Sequence, residues 1–173
     1  MTHDTPEYAL IARFYGDRRA RRSRVLYMAH IDQGLAILTA IGATEAAHRA
    51  YALHPLVQGD ADLAANFETL VTAAPTLHPR ALALAMEYRS VANAFLSPME
   101  AHPGYGDPGQ IRLSPLEEVN QMLVADKVQN YQDFLRYHRE SHPRAPWLER
   151  YFRAWLSRLG VSHAQFEALC APP

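Results

Sequence analysis

The chain has 173 residues, of which 49% are hydrophobic, and its formal net charge at pH 7 is −1. This length predicts one domain over residues 1–173 with a single core. The balanced charge argues against a molecule built as a whole to bind nucleic acid or a membrane surface. The single cysteine, Cys170, excludes an internal disulfide, and no apolar run is long enough to span a bilayer. We therefore expect a cytoplasmic protein.

Apolar residues recur at helical spacing along most of the chain, and no stretch shows the alternation typical of a strand. Capping residues, prolines and glycines divide the chain into eight predicted helices: 6–20, 30–41, 46–53, 62–73, 80–96, 114–139, 145–159 and 162–169. We expect a core over about residues 6–140, while the C-terminal helices within 144–170 pack on it or form a subunit contact. The sequence thus predicts an all-α bundle of about seven to eight helices.

Three local signals bear on where a site would form. Gly34 lies inside the second predicted helix at a cost of about 1 kcal/mol relative to alanine, which indicates a close approach by another group. Pro55 and the Gly59-Asp60 pair are expected to end the third helix soon after His54. The proline- and glycine-containing segment 97–113 is predicted to be a loop, long enough to serve as a lid or an interface.

Five arginines lie within residues 18–24, and this is the one dense basic cluster of the chain. A charge run of this kind is usually a solvated surface segment. It ends six residues before His30, however, which is near enough to bring Arg21, Arg22 and Arg24 to the mouth of a site. Guanidinium groups bind phosphate and stack on bases, so the cluster is also a candidate anion-binding element.

Asp126 continues the apolar stripe of the sixth predicted helix, and Asn130 follows one turn later. A carboxylate on an inward face needs a metal, a cation or several hydrogen-bond donors. One alternative is a structural pairing of Asp126, for example with Arg89. His30 and His54, each expected at the end of a helix, favour a functional site instead.

Three segments occur in the order Arg21–His30, Ala52–Gly59 and Ala125–Asn130. They resemble, respectively, the Arg-Lys-Ser-Gly-Glu-Pro-Tyr-Ile-x-His, Leu-His-Asp-x-x-Glu-Asp and Ala-Asp-Arg-Leu-His-Asn motifs of the HD-domain metal-dependent phosphohydrolases. The similarity is closest to the RelA/SpoT-type (p)ppGpp hydrolase domain, and it covers about residues 10–135.

The resemblance implies an HD-domain-like bundle that holds a divalent metal, for which Mn, Zn, Fe and Mg are the candidates. Carried over residue by residue, the metal ligands are His30, His54 and Asp126. Asn130 would contact the substrate or orient the site, and Arg21 would stack on a base.

Two positions depart from the family pattern. The aspartate of the His-Asp dyad is replaced by Pro55, which cannot ligate a metal. The acidic pair is replaced by Gln58-Gly59, and a glutamine amide can orient a water molecule but cannot deprotonate it. Asp60 is a conceivable substitute, although an aspartate after glycine is more typical of a plain turn. Two histidines and one carboxylate still form a ligand set known for catalytic zinc and for iron.

These patterns leave three hypotheses open. The first is a divergent phosphohydrolase of nucleotides or phosphorylated small molecules, with Gln58 and Asn130 in catalytic positions and Arg21, Arg22 and Arg24 attracting phosphate. The second is a catalytically inactive nucleotide-binding or protein-interaction module. The third is a scaffold in which the former site serves only for packing. No membrane or nucleic-acid partner is expected, and homo-oligomerisation stays open.

Overall fold

A computed structural model of the chain describes residues 2–21, 23–97 and 107–171. Within these ranges the protein is built from α-helices, with short 3-10 turns and no β-strand, which confirms the predicted all-α fold. The described α-helices are α1 (Pro6–Tyr15), α2 (Tyr27–Ala40), α3 (Glu45–Val57), α4 (Asp60–Ala73), α5 (Pro79–Ala94), α6 (Glu117–Tyr137), α7 (Ala145–Arg158) and α8 (His163–Cys170). None of them is both long and apolar enough to cross a membrane.

Helix α3 lies at the centre of the bundle and packs against α1, α2, α4, α5 and α6. Its small residues Ala47, Ala50 and Ala52 are buried, which lets neighbouring helices approach closely, while Tyr51 and Leu53 fill the core. Helix α6 in turn packs against α2, α3, α5, α7 and α8. Helices α2, α3 and α6 are therefore mutual neighbours, and they carry the two histidines and the aspartate singled out from the sequence.

The segment between α1 and α2 is not helical, so the prediction of one helix over 6–20 was too long. Helix α1 ends at Tyr15, and Gly16 takes a positive φ of 50°. An antiparallel bridge then pairs Arg19 with Leu26, and Arg24 between them has a φ of 61°. Helix α2 then begins at Tyr27, three residues before the predicted start, so His30 lies within its first turn.

Pro55 does not end α3, contrary to the prediction, because the helix continues to Val57. A proline in a helix leaves the carbonyl four residues earlier without its usual N–H donor. That carbonyl belongs to Tyr51, and here it accepts a hydrogen bond from His54 Nδ1 at 2.6 Å. A side chain therefore replaces the lost backbone donor, and the helix is not forced to end.

Helix α6 begins at Glu117 rather than at Ser114. Ser114 instead anchors the connection to α5, because its hydroxyl donates to Glu87 Oε1 at 2.9 Å. Part of the predicted loop 97–113, residues 98–106, lies outside the described residues, so the expectation of a lid stays a prediction. Ile111 at its end is buried, and its carbonyl accepts from Arg158 Nε at 2.8 Å, which ties this segment to α7.

Candidate metal centre

Three side chains that are distant in sequence meet where α2, α3 and α6 pack together. His30 Nε2 lies 3.3 Å from His54 Nε2 and 3.6 Å from Asp126 Oδ1, and His54 Nε2 lies 3.9 Å from the same oxygen. Ligand bonds of about 2.0–2.1 Å in a tetrahedral arrangement put ligand atoms about 3.3 Å apart. The shortest of the three distances matches this separation, and the longest exceeds it by about 0.6 Å, so a small movement of the side chains would complete a metal-binding set. The sequence-based prediction that these residues converge is confirmed.

The triad borders a cavity of about 650 Å³, a volume typical of small-molecule sites. His54 and Asp126 are buried, whereas the His30 side chain is 21% exposed. Much of the cavity wall is aromatic, and the aromatic residues that line it are Tyr15, Tyr27, Tyr88, Phe134, Tyr151 and Phe152. A ligand in this cavity would therefore reach the triad from its partly exposed His30 side.

The protonation of His54 follows from its hydrogen bond to the backbone. A carbonyl oxygen can only accept, so His54 Nδ1, 2.6 Å from the Tyr51 oxygen, must carry a hydrogen. In the neutral ring Nε2 then keeps its lone pair, which faces the triad. Burial, followed by the neighbouring His30, lowers the pKa of His54 to about 4, so the ring is neutral at neutral pH.

His30 is held in the same tautomer by a side chain. Its Nδ1 lies 2.5 Å from Gln129 Oε1, and the amide nitrogen of Gln129 donates to Gln33 Oε1 at 3.1 Å and to Asp133 Oδ2 at 2.9 Å. In this orientation the amide oxygen accepts from His30 Nδ1, and His30 Nε2 presents a lone pair to the triad. The Tyr51 hydroxyl lies 3.4 Å from this nitrogen.

Asp126 is ionised, and its two carboxylate oxygens have different partners. Its Oδ2 accepts from Lys127 Nζ at 2.7 Å, and its Oδ1 accepts from Asn130 Nδ2, also at 2.7 Å. Burial opposes ionisation, but the ammonium group of Lys127 outweighs it and holds the pKa of Asp126 well below its ordinary value. Burial likewise opposes the charge of Lys127, and the attraction of Asp126 overcomes it and raises the pKa of the ammonium group.

The donor set of the triad fits a cation. Two nitrogen lone pairs and one carboxylate oxygen lie close together, and three acceptors this close repel one another unless a cation or a proton lies between them. The low pKa of His54 disfavours a proton on that ring at neutral pH. A divalent metal would satisfy all three atoms at once.

The catalytic residues predicted from the sequence take different positions. Asn130 lines the cavity and holds Asp126 through the bond described above. Gln58 also lines the cavity, but its side-chain amide nitrogen donates to Asn93 Oδ1 at 3.3 Å, and its backbone carbonyl accepts from Asn93 Nδ2 at 2.6 Å. Gln58 is thus engaged with α5.

Two alternatives considered from the sequence fail on geometry. Arg89 does not pair with Asp126, because its guanidinium group pairs with Asp60 at the start of α4. The Asp60 side chain is 98% exposed, so it does not replace the missing dyad carboxylate within the buried triad. The cation beside Asp126 is Lys127 instead.

The arginine cluster gives a mixed result. Arg21 and Arg24 are exposed, and neither is among the described residues that line the cavity, whereas Ser23 and Val25 of the same segment do line it. Arg22 lies outside the described residues. A role of these arginines in attracting phosphate stays a prediction.

Four site residues were not recognised from the sequence: Lys127, Tyr51, Gln129 and Asp133. The first two had a detectable signal. Lys127 is the only lysine of the chain, and it lies next to Asp126. Gly34 predicted a close approach, and a Cβ atom at this position would lie 2.2 Å from the Tyr51 ring. Gln129 and Asp133 gave no signal, because their role depends on partners on α2.

Compared with protein-family models, curated proteins and solved structures, the chain matches none of them significantly. The resemblance to the HD-domain phosphohydrolases therefore stays a prediction that depends on the three motifs.

Proposed function

We propose that this protein is a metal-dependent phosphohydrolase that acts on a nucleotide or another phosphorylated small molecule. The observation that carries the proposal is the convergence of His30 Nε2, His54 Nε2 and Asp126 Oδ1 within 4.8 Å of one another beside a cavity of about 650 Å³. These three atoms would hold a divalent ion. Such an ion polarises a phosphoryl oxygen and lowers the pKa of a bound water.

The neighbours of Asp126 support this chemistry. Lys127 pairs with Asp126 Oδ2 and offsets part of its negative charge. The carboxylate would therefore neutralise less of the charge of a bound ion, and more of that charge would act on a phosphoryl oxygen. Asn130 donates to Oδ1 and fixes the orientation of that oxygen towards the histidines. Three protein ligands would leave coordination positions for water and substrate, which is typical of catalytic rather than structural sites.

A catalytically inactive binding module is the second candidate, and the Gln58 region favours it. A phosphohydrolase that follows the family pattern uses carboxylates where this chain has Pro55 and Gln58. The Gln58 amide hydrogen-bonds to Asn93, and an amide does not take a proton near neutral pH. In this alternative the centre would bind a metal and a ligand without hydrolysis.

Metal analysis tests the proposal first. Wild-type protein purified without added metal is expected to carry about one divalent ion per chain. Inductively coupled plasma mass spectrometry measures this metal content. The His54→Ala and Asp126→Ala variants are expected to lose it. His163→Ala is the matched control, because this exposed histidine on α8 is far from the triad in sequence and should not change the metal content. A wild-type protein without metal would favour the scaffold hypothesis and refute the proposal.

Hydrolysis separates the two remaining candidates. Para-nitrophenyl phosphate and a panel of nucleotides are assayed with the protein loaded with Mn, Zn, Fe or Mg. Hydrolysis that disappears in Asp126→Ala supports the phosphohydrolase. Activity found only in the double variant Pro55→Asp, Gln58→Glu would identify the natural protein as a non-hydrolase that keeps the site.

A further inference from the structure

We propose that Asp133 is a positioning residue that determines, through Gln129, which nitrogen of His30 carries the hydrogen, so that Nε2 presents a lone pair to the proposed metal centre. The inference rests on the proposed metal site and adds a residue that no motif of the sequence indicates. It concerns only side chains of this chain and their hydrogen bonds.

Helix α6 carries two side chains of this relay, Gln129 and Asp133, and places Gln129 against His30 of α2. Gln129 lies one turn after Asp126 and Asp133 one turn further on, so they follow the same side of the helix. Gln129 is 1% exposed, which leaves its amide dependent on protein partners. Its nitrogen donates to Asp133 Oδ2 at 2.9 Å, and its oxygen lies 2.5 Å from His30 Nδ1.

Carboxylate oxygens accept hydrogen bonds, and Asp133 Oδ2 accepts from Gln129 Nε2, which sets the direction of the whole relay. The Gln129 amide must turn its NH₂ group towards Asp133, because the opposite orientation would bring two acceptor oxygens together. Its oxygen must then face His30, whose Nδ1 must carry the hydrogen. Gln33 accepts the second N–H at 3.1 Å, but an exposed amide can itself turn over and imposes no direction.

The tautomer of His30 matters because its Nε2 is one of the three atoms of the triad. A hydrogen on Nε2 would point towards Asp126 and His54 and would occupy the position of a metal. His54 is protected from this alternative by a backbone carbonyl, which cannot turn over. His30 has no such carbonyl partner among its described hydrogen bonds, so its tautomer depends on Asp133.

The isosteric change Asp133→Asn is the direct test. Asparagine can donate or accept, so the Gln129 amide is free to adopt both orientations and His30 is expected to populate both tautomers. Long-range proton–nitrogen NMR of the metal-free protein distinguishes a protonated nitrogen from one with a lone pair, with His30 assigned from a His30→Gln spectrum. Zinc affinity, measured by competition with a chromophoric chelator, is expected to fall about 10-fold, within the range of such indirect effects.

A rescue separates orientation from general structural damage. In the double variant Gln129→Glu, Asp133→Asn, the new carboxylate accepts from His30 Nδ1 and from the asparagine amide. The single tautomer and the zinc affinity are therefore both expected to return. Asp62→Asn is the matched control, because Asp62 lines the same cavity but bonds to the Gly59 N–H instead of the relay. It should change neither measurement.

The proposal is overturned if wild-type His30 carries its hydrogen on Nε2, or if Asp133→Asn keeps a single tautomer and the wild-type affinity. If Asp133→Asn does not fold, Gln129→Met supplies the same decision, because it removes the acceptor of His30 and should also mix the tautomers. Failure of the wild type to bind zinc would refute the proposed function instead. The tautomer of the metal-free protein would still decide the role of Asp133.

Discussion

The two histidines of the centre are held in the same tautomer by different means. His54 is buried and donates to the Tyr51 carbonyl, which the missing N–H of Pro55 leaves available. His30 is partly exposed and depends on a relay of two side chains from α6. The comparison indicates that backbone geometry orients the buried histidine, whereas side chains that can turn over orient the histidine beside the cavity.

Both histidines lie next to the Asp126–Lys127 pair, and breaking this pair is expected to have the largest effect. Lys127→Met leaves a buried carboxylate without its cation, so the free energy of unfolding of the metal-free protein should fall by about 3–5 kcal/mol. Chemical denaturation measures this change. Saturating zinc should recover part of the loss, because it supplies a replacement cation.

Arg136→Met on the exposed part of the same helix is the control for Lys127→Met, and it should change stability by less than about 0.5 kcal/mol. Equal effects of the two substitutions would show that the buried pair has no special role.

The burial of His54 predicts a pH dependence that His30 need not share. The pKa of His54 is about 4 in the folded protein, below the ordinary value of 6.5. Between these values the unfolded chain binds a proton that the folded chain does not, so stability falls as the pH decreases from 6.5 to 4 and no further below it. The expected loss is about 3 kcal/mol.

Denaturation of metal-free wild type and of His54→Gln across this pH range isolates the contribution of His54. As the pH decreases from 6.5 to 4, the free energy of unfolding of the wild type should fall more steeply than that of His54→Gln. Parallel curves would mean that His54 titrates normally.

Tyr51 packs against both histidines, and Gly34 makes room for it. The Tyr51 ring is 5.8 Å from the His30 ring and 4.7 Å from the His54 ring by centroids. Gly34→Ala would place a Cβ atom 2.2 Å from Tyr51 and should destabilise the protein by about 1–3 kcal/mol, despite the better helix propensity of alanine.

The Gly34→Ala effect is best measured in a double-mutant cycle with Tyr51→Leu. The alanine should become nearly neutral once the ring is removed. A loss of the same size in both backgrounds would mean that Gly34 serves the helix and not the site.

Pro55→Ala is expected to raise stability while weakening metal binding, and its effect on the free energy of unfolding is the smallest of these substitutions. The restored N–H can bond to the Tyr51 carbonyl and compete with His54 Nδ1. Stability should therefore rise by about 1 kcal/mol while zinc affinity falls a few-fold. Pro146→Ala, in the first turn of α7 where no N–H is required, should change neither. Unchanged zinc affinity in Pro55→Ala would show that the carbonyl does not orient His54.

Local patterns in the sequence were sufficient to predict an all-α fold and, together with the family resemblance, the convergence of His30, His54 and Asp126. Helical periodicity placed Asp126 on an inward face, and a mid-helix glycine correctly indicated a close neighbour. Pro55 was wrongly predicted to end α3, because its effect depends on whether another donor reaches the Tyr51 carbonyl. Asp133 could not be predicted, because its relay connects to His30 on α2, a helix far away in sequence.

The position of Lys127 links the C-terminal part of the chain to the centre. Its ammonium group lies 5.6 Å from the centre of the Tyr151 ring and 5.2 Å from that of Trp155, both on α7. As the only lysine of the chain, it gives amine-directed labelling a single side-chain target. Because Lys127 is buried and paired with Asp126, its acylation would be slow, and the rate would measure how often this ion pair opens.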